Sequence, residues 1–317
     1  MILSKPELIK IAQEYSLGEL KSYSLIVGGL VNHNYKVQTS KGNFLVRLVL
    51  DNSSKKTKHL NLQFKLVRYL QNKGFPYKIP IPIKTLSGKE ILQLNKKKVW
   101  VCKFFDGKNY CEAPTIPKMK EMAKVLAIYH KYVEGLKGHK AKDEAHQRIR
   151  KGFKIMKKIT GKKPEDKLAR ENLEFFKEIY EEIKNFKCKK NMRFIHGDFD
   201  ASNVLFQGDK ITAVIDFDET NFAPRIFDIS VSIRDSCITR GKFDKKKTEI
   251  FLKEYEKISK LEKEEKEAII PLILLANIDF FVWAYCFMKK ERHNTKKYMN
   301  EMFVLTKDIV ENKKVIK

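Results

Sequence analysis

The segment FIHGDFDASNVLF, residues 194–206, packs a histidine, two aspartates and an asparagine in front of an apolar ending. Asp198 is followed by four residues and then Asn203, and after twelve more residues Asp216 ends the apolar stretch ITAVI. Taken singly, these side chains would suit a helix cap, a turn and an exposed acid. In this order, and between two predicted strands, they indicate one functional site.

Phosphoryl transfer from ATP needs a combination of groups of this kind. One carboxylate must accept the proton of the attacking hydroxyl, while an amide oxygen and a second carboxylate hold Mg²⁺ against the nucleotide phosphates. The spacing places Asp198 and Asn203 on one tight loop, and a hairpin then presents Asp216 near Asn203. The sequence therefore predicts a kinase that uses ATP and Mg²⁺.

The segments HGDFDASNVLF and VIDFDE resemble the catalytic loop and the metal-binding segment of the aminoglycoside phosphotransferase/choline kinase family. These are small-molecule kinases with a protein-kinase-like fold. The resemblance implies that Asp198 is the catalytic base, that Asn203 and Asp216 are magnesium ligands, and that His196 has a structural role. The segments GLVNHNYKV, VCKFFDGK and LAIYH are most similar to the homoserine kinase branch, and the likeness runs from about residue 20 to 290.

This resemblance implies an α+β, two-lobe fold. We expect a small antiparallel-sheet lobe in residues 1–105, which binds nucleotide, and a larger, mainly helical lobe in residues 106–317, which carries catalysis and the acceptor site. An apolar run at 269–288 is long enough to span a bilayer. Because it contains Pro271, Asn277 and Asp279, the run predicts a buried helix and not a membrane span.

The first lobe also contains candidate nucleotide-binding residues. Gly28 and Gly29 allow a backbone loop to approach phosphates closely, although a plain hairpin turn is the alternative. The resemblance adds Asn32 and Asn34 to this loop. It also implies a hinge at residues 99–107, whose backbone contacts adenine, with Val101 and Lys103 as the candidate positions.

Arg47 lies on the predicted strand FLVRLVL, where protein kinases carry a phosphate-contacting lysine. An arginine fork can bind two phosphate oxygens, so this replacement is chemically sensible. The glutamate that pairs with that lysine is expected on the next helix, where the best matching residue is Gln63. A glutamine cannot form the ion pair, which leaves the role of Gln63 open.

Acidic residues are dense around the proposed base. We expect Asp200 or Asp218 to meet an amine on the acceptor, with a solvated turn aspartate as the alternative. Arg225 and Arg234 could instead face a substrate carboxylate. The resemblance implies a structural role for Asp228, which would brace the catalytic loop.

The net charge of +26 is carried mostly by lysines that are scattered along the chain. The densest basic segments, at 96–100 and 148–163, lack the aromatic–basic alternation of a nucleic-acid stacking surface. Five widely spaced cysteines are typical of reduced thiols in a cytoplasmic protein. We therefore expect a small-molecule hydroxyl acceptor, no dedicated nucleic-acid or membrane partner, and a monomer or homodimer.

The favoured function is ATP-dependent phosphorylation of homoserine or a related amino alcohol. An aminoglycoside (antibiotic) or choline-type kinase is the alternative within the same class. A pseudokinase-like nucleotide-binding protein is the alternative from another class, because Gln63 replaces the expected glutamate. Against it, Asp198, Asn203 and Asp216 are all present.

Overall fold

The computed structural model describes residues 2–26, 32–51, 53–110, 112–138, 144–286, 288 and 295–312. The chain divides into two compact units. The first comprises Met1–Lys108 and Thr212–Asp218, and the second comprises Asn109–Ile211 and Glu219–Lys317. The segment at 212–218, which carries Asp216 and Asp218, thus belongs to the first unit. The expected lobes at 1–105 and 106–317 stay a prediction.

The first unit is built on a five-stranded antiparallel sheet with the strand order β1-β2-β3-β5-β4. Its elements are α1 (Lys5–Glu14), β1 (Leu20–Ile26), β2 (His33–Thr39), β3 (Gly42–Val49), α2 (Ser54–Asn72), β4 (Leu92–Leu94) and β5 (Lys97–Lys103). The strand alternation at 34–50 and 88–105 predicts two hairpins around short turns, and the pairs β2–β3 and β4–β5 confirm them. The short turns between paired strands explain why a local pattern was enough to predict them.

The two faces of this sheet pack against different helices. Val46 and Leu48 of β3 belong to a core cluster that includes Leu8 and Ile11 of α1. Trp100 belongs to a second cluster with residues of α2, including Leu60 and Phe64. Since side chains alternate along a strand, Arg47 lies on the α2 face, opposite Trp100 in the register of β3 and β5.

The second unit is mainly helical. Its helices are α3 (Ile116–Tyr132), α4 (Glu144–Met156), α5 (Pro164–Ile183), α6 (Ile226–Ser236), α7 (Lys245–Glu256), α8 (Lys263–Cys286) and α9 (Thr295–Glu311). Short strands lie between them: β6 (Met192–Ile195), β7 (Val204–Gln207), β8 (Lys210–Val214), β9 (Asn221–Pro224), β10 (Ile238–Thr239) and β11 (Lys242–Phe243). Strands β7 and β8 flank Gly208 and Asp209, as predicted. β6, β9 and the β10–β11 pair were not predicted; β6 and β9 pair across more than twenty residues of chain, so no local turn marks them.

Helix α8 contains the apolar run that was predicted to be buried. By length and composition it could cross a membrane, but 56% of its most apolar window is buried inside the unit. Its polar side chains have partners there. Asn277 donates to Thr306 Oγ1 at 3.1 Å, and Asp279 accepts from Arg148 Nε at 2.6 Å. The prediction of a buried helix is therefore confirmed.

Candidate functional site

The catalytic loop begins where β6 ends, and a buried aspartate holds it. The backbone N–H of His196 donates to Asp228 Oδ2 at 2.8 Å, and that of Gly197 donates to Asp228 Oδ1 at 2.7 Å. Asp228 lies in the first turn of α6 and is fully buried. The predicted role of Asp228 as a brace for this loop is confirmed.

His130 completes this brace, and sequence reasoning missed it. His130 Nε2 lies 3.0 Å from Asp228 Oδ2, while its Nδ1 lies 2.7 Å from the hydroxyl of Tyr255. Burial lowers the pKa of His130, and Asp228 opposes this shift only in part. A neutral His130 donates a hydrogen bond from Nε2 to the Asp228 carboxylate and accepts one from the Tyr255 hydroxyl at Nδ1.

Gly197 was also missed, although its place between His196 and Asp198 was a signal. Its φ is +87°, in the left-handed region. A Cβ atom at this position would lie 2.3 Å from the carbonyl oxygen of Glu219. A glycine is required here because both the backbone conformation and the close approach exclude a side chain.

His196 itself has the structural role that the sequence analysis favoured. Its fully buried ring makes edge contacts with Tyr129 and Phe199. Its Nδ1 accepts a hydrogen bond from the backbone N–H of Asp198 at 3.4 Å. These contacts fix the backbone just before the proposed base.

Asp198 and Asn203 are brought together within the second unit. Asn203 Nδ2 donates to the carbonyl oxygen of Asp198 at 2.8 Å and to its Oδ2 at 2.9 Å. Because the amide nitrogen makes both bonds, the Oδ1 atom of Asn203 points elsewhere and keeps its capacity to accept. An amide oxygen of this kind fits a hard divalent cation.

Asp200 closes the same loop. Its Oδ1 accepts from the backbone N–H and the hydroxyl of Ser202, at 2.7 and 2.6 Å, and from the backbone N–H of Asn203 at 3.1 Å. Burial and the charge of Asp235 raise its pKa to about 6. Asp200 thus closes a turn, and its side chain is partly exposed. Its contact with an acceptor amine stays a prediction. Within the described residues, its Oδ2 has no hydrogen-bond partner.

Arg234 lies on α6 close to this loop. Its Nε and Nη2 donate to Asp235 Oδ1 and Oδ2 at 2.7 and 2.5 Å. Burial alone would lower its pKa, but Asp235, Asp198 and Asp200 together raise it, so Arg234 stays charged beside the proposed base. Its side chain is 11% exposed, and Nη1 has no hydrogen-bond partner in the part of the chain that the structure describes.

Arg225 does not fit the substrate role considered from sequence. Its Nε and Nη2 donate to Glu265 at 2.7 and 2.8 Å, and both charged groups are buried. The same guanidinium also bonds to the Ser259 hydroxyl and the Lys260 carbonyl. All three nitrogens are occupied, so Arg225 is a structural residue of the second unit.

The first unit contributes a separate group of charged residues around Arg47. Arg47 Nη1 donates to Asp216 Oδ1 at 3.1 Å and to Asp218 Oδ1 at 2.8 Å, while Nε donates to Asn34 Oδ1 at 2.9 Å. Burial would lower the pKa of Arg47, but the two carboxylates raise it. Asp216 has a φ of +60°, a left-handed conformation that aspartate tolerates better than most residues.

The carboxylate of Asp218 accepts hydrogen bonds from other residues of the first unit. Its Oδ2 accepts from Asn32 Nδ2 at 2.7 Å and from Lys56 Nζ at 3.2 Å. Burial favours a higher pKa, but Arg47 and Lys56 outweigh it and hold the pKa below its usual value. Both carboxylate oxygens are taken, so Asp218 does not fit the contact with an acceptor amine that the sequence suggested. Sequence reasoning did not anticipate Lys56.

The remaining nucleotide-binding candidates stay predictions. Gly28 and Gly29 lie outside the described residues. Val101 lies on β5 in the core of the first unit, and its carbonyl oxygen accepts from the backbone N–H of Ile83 at 2.8 Å. Lys103 ends β5 and is exposed.

Comparisons with known proteins identify the family and the fold of this chain. Residues 22–259 match the model of the phosphotransferase enzyme family. A homoserine kinase of Methylobacillus flagellatus is 26% identical over 270 residues, which cover 84% of this chain and 80% of that protein. A homoserine kinase of Caulobacter vibrioides is 26% identical over 289 residues, covering 88% of this chain and 86% of that one.

Among solved structures, a spectinomycin phosphotransferase in complex with ADP and spectinomycin has a TM-score of 0.72 and 17% identity, covering 99% of both chains. At this identity, the similarity bears on the fold. Together with the sheet and the helical unit described above, it confirms the protein-kinase-like α+β fold.

Proposed function

Because this chain belongs to the phosphotransferase enzyme family and is a small-molecule kinase, we propose that it transfers the γ-phosphate of ATP to the hydroxyl group of homoserine or a closely related amino alcohol. The curated relatives named homoserine kinase support this acceptor. The solved spectinomycin phosphotransferase, with bound ADP, supports an adenine nucleotide as the donor.

The acceptor proposal rests on the buried, charged guanidinium of Arg234 on α6, a helix that contacts the loop at Phe199, and on the influence of the Asp198 charge on the pKa of Arg234. Asp198 is the base that takes the proton of the attacking hydroxyl. The Nη1 atom of Arg234 can bind the carboxylate of an amino acid in a charge-assisted hydrogen bond. Asp200, whose Oδ2 has no partner among the described residues, can bind the ammonium group. Aminoglycosides and choline lack a carboxylate and cannot use Arg234 in this way.

The donor side uses oxygen ligands and positive charges. Asn203 and Asp216 would hold Mg²⁺, whose preference for carboxylate and amide oxygens they match. The bound ion would neutralise phosphate charge. The phosphates would meet Arg47 and the loop that carries Gly28, Gly29, Asn32 and Asn34, and adenine would meet the hinge at Val101 and Lys103.

We also propose that the enzyme works in the cytoplasm, as a monomer or homodimer, without a nucleic-acid or membrane partner. The buried position of α8 supports a soluble protein. Light scattering of the purified chain at two concentrations would determine its oligomeric state.

The test is ATP consumption with a matched panel of acceptors. We expect homoserine to exceed 3-amino-1-propanol, which lacks only the carboxylate, by about 100-fold or more in kcat/KM, because an unpaired charged group is costly. Asp198→Ala should lower kcat by about 10²–10⁴-fold, and Arg234→Met should remove most of the preference for homoserine.

Asp200→Asn is the matched variant for the ammonium contact. It keeps the Oδ1 atom that closes the loop but removes the charge, so it should raise the KM for homoserine without unfolding the loop. A chain that phosphorylates an aminoglycoside better than homoserine would contradict the acceptor proposal. A chain that binds ATP yet phosphorylates no acceptor would favour the pseudokinase-like alternative.

A further inference from the structure

The phosphate-binding side chain on β3 is expected to pair with a carboxylate on the next helix, but α2 contains no Asp or Glu. Gln63 stands where a helix glutamate was expected, and it is fully buried. Neither its Oε1 nor its Nε2 has a hydrogen-bond partner among the described residues. The described partners of the Arg47 guanidinium are Asn34, Asp216 and Asp218.

The two aspartates are not equivalent as partners of Arg47. Asp218 Oδ1 lies 2.8 Å from Nη1, whereas the oxygens of Asp216 lie 3.1 Å from Nη1 and 3.4 Å from Nη2. The Asp218 side chain is 13% exposed, and that of Asp216 is 37% exposed. The shorter and better-buried contact is therefore the one to Asp218.

Helix α2 holds Asp218 in turn. Lys56 Nζ lies 3.2 Å from Asp218 Oδ2, and His59 Nε2 lies 2.7 Å from the backbone oxygen of Asp218. Lys56, His59 and Gln63 follow each other at spacings of three and four residues, so they share one face of α2. That face carries a lysine, a histidine and an amide, and the carboxylate comes from the segment at 212–218.

We propose that Asp218 is a positioning residue that fixes the guanidinium of Arg47 for the nucleotide phosphates, and that Lys56 acts through it. The inference rests on the proposed function, in which Arg47 meets the phosphates and Asp216 is a metal ligand. A carboxylate oxygen that binds a cation is no longer available to Arg47. In the proposed function Asp218 binds no metal, so its carboxylate stays on Arg47 and Lys56 and keeps Arg47 oriented. In place of the direct ion pair expected between β3 and α2, there are two: Arg47 of β3 pairs with Asp218, and Asp218 pairs with Lys56 of α2.

Asp218→Asn tests the proposal with little change in shape. We expect kcat to fall about tenfold or more, while the KM for the acceptor stays within about twofold, because Asp218 does not touch the acceptor. Lys56→Met should lower kcat less, by about three- to tenfold. The double variant should be no slower than Asp218→Asn alone, since Lys56 acts through Asp218.

A second readout does not depend on activity. We propose to label arginines with phenylglyoxal and to follow each site by peptide mass spectrometry. Arg47 should be labelled about fivefold faster in Asp218→Asn than in the wild-type chain, because its guanidinium is less firmly held. Arg68, which pairs with Glu90 in the same unit, is the internal reference and should keep its rate.

Asp51→Asn is the matched control. Asp51 is an exposed acid of the same unit whose charge also acts on Lys56, and it accepts from the backbone N–H of Ser53 at 2.8 Å. This variant loses the same charge but should keep the wild-type kcat and the wild-type labelling of Arg47. Asp218→Glu, which retains the charge, should recover part of the kcat lost in Asp218→Asn.

Three results would overturn the inference. One is equal labelling of Arg47 in folded wild-type and Asp218→Asn chains. Another is a raised acceptor KM with unchanged kcat, which would restore the substrate role for Asp218. The third is a double variant in which the losses of Asp218→Asn and Lys56→Met multiply. If the wild-type chain phosphorylates no acceptor but Arg47 is labelled faster in Asp218→Asn, the proposed function fails and the positioning by Asp218 stands.

Discussion

Asp228→Asn should both destabilise the second unit and slow catalysis. The Asp228 carboxylate accepts from the backbone N–H groups of His196 and Gly197 and from His130 Nε2, at 2.8, 2.7 and 3.0 Å. An asparagine of the same shape has one acceptor oxygen. Its NH₂ group must therefore face at least one of these three donors.

The smallest loss arises when the side-chain oxygen of the introduced asparagine stays on the side of His196 and His130. The N–H of Gly197 then faces the new NH₂ group, and two buried donors are left without acceptors. Each buried donor without a partner costs about 1–3 kcal/mol, and the retained bonds lose their charge assistance. We expect the free energy of unfolding to fall by about 2–5 kcal/mol.

The measurement is urea unfolding followed by circular dichroism at 222 nm, with kcat measured on the folded variant. Because Gly197 immediately precedes Asp198, a displaced loop should lower kcat by about 10–100-fold. Asp209→Asn is the control, since Asp209 is a 56% exposed partner of Lys118. Its removal should cost at most about 1 kcal/mol.

The reasoning about Asp228 would be refuted if Asp228→Asn unfolded at the same urea concentration as Asp209→Asn. It would also fail if the variant lost stability but kept the wild-type kcat. In that case the brace would hold the helix and not the catalytic loop.

Burial lowers the pKa of His130 from its ordinary value near 6.5, so below about pH 6.5 the unfolded chain takes up a proton that the folded chain does not. From this group, the free energy of unfolding should therefore fall by up to about 1.4 kcal/mol for each pH unit toward acid. In His130→Gln the urea midpoint should change less between pH 7 and 5 than in the wild-type chain. An equal change of the midpoint with pH in both chains would contradict this role of His130. Gly152→Ala should cost about 1–3 kcal/mol in urea unfolding, because its Cβ would lie 2.0 Å from Val282 Cγ1. The double variant Gly152→Ala, Val282→Ala should recover most of the free energy of unfolding that Gly152→Ala loses. If it does not, the clash with Val282 is not the cause of the destabilisation.

Most elements of the fold could be predicted from local patterns. Helix periodicity and strand alternation extend over enough residues to identify α2, α8 and the hairpins of the first unit. The loop from Asp198 to Asn203 could be predicted for the same reason, because all of its groups lie within six consecutive residues. The short strands β6 and β9 could not, since their pairing depends on residues far apart in the chain.

The roles of individual charged side chains could not be predicted from the sequence. Arg225 and Arg234 lie at the start and near the end of α6, and their sequence neighbours do not indicate which of them is enclosed by a distant carboxylate. In the folded chain, Arg225 is enclosed by Glu265, whereas Arg234 remains beside the catalytic loop with Nη1 directed to no described partner. The difference arises from a partner forty residues away.

The chain's own residue order was thus sufficient to predict the kinase fold, because helix periodicity, strand alternation and the loop motif are local in sequence. The roles of Asp198 as base and of Asn203 and Asp216 as magnesium ligands stay predictions from the same local pattern. The partners of Arg47 and Asp218, and the close approach of Glu219 that requires a glycine at 197, became known from folded contacts alone. The bracing role of Asp228 was implied by the resemblance, and the folded contacts confirm it. A carboxylate is equally polar in the printed sequence whether it faces water, a cation or a backbone N–H. Its surroundings, and hence its role, are set by residues that folding brings to it from distant parts of the chain.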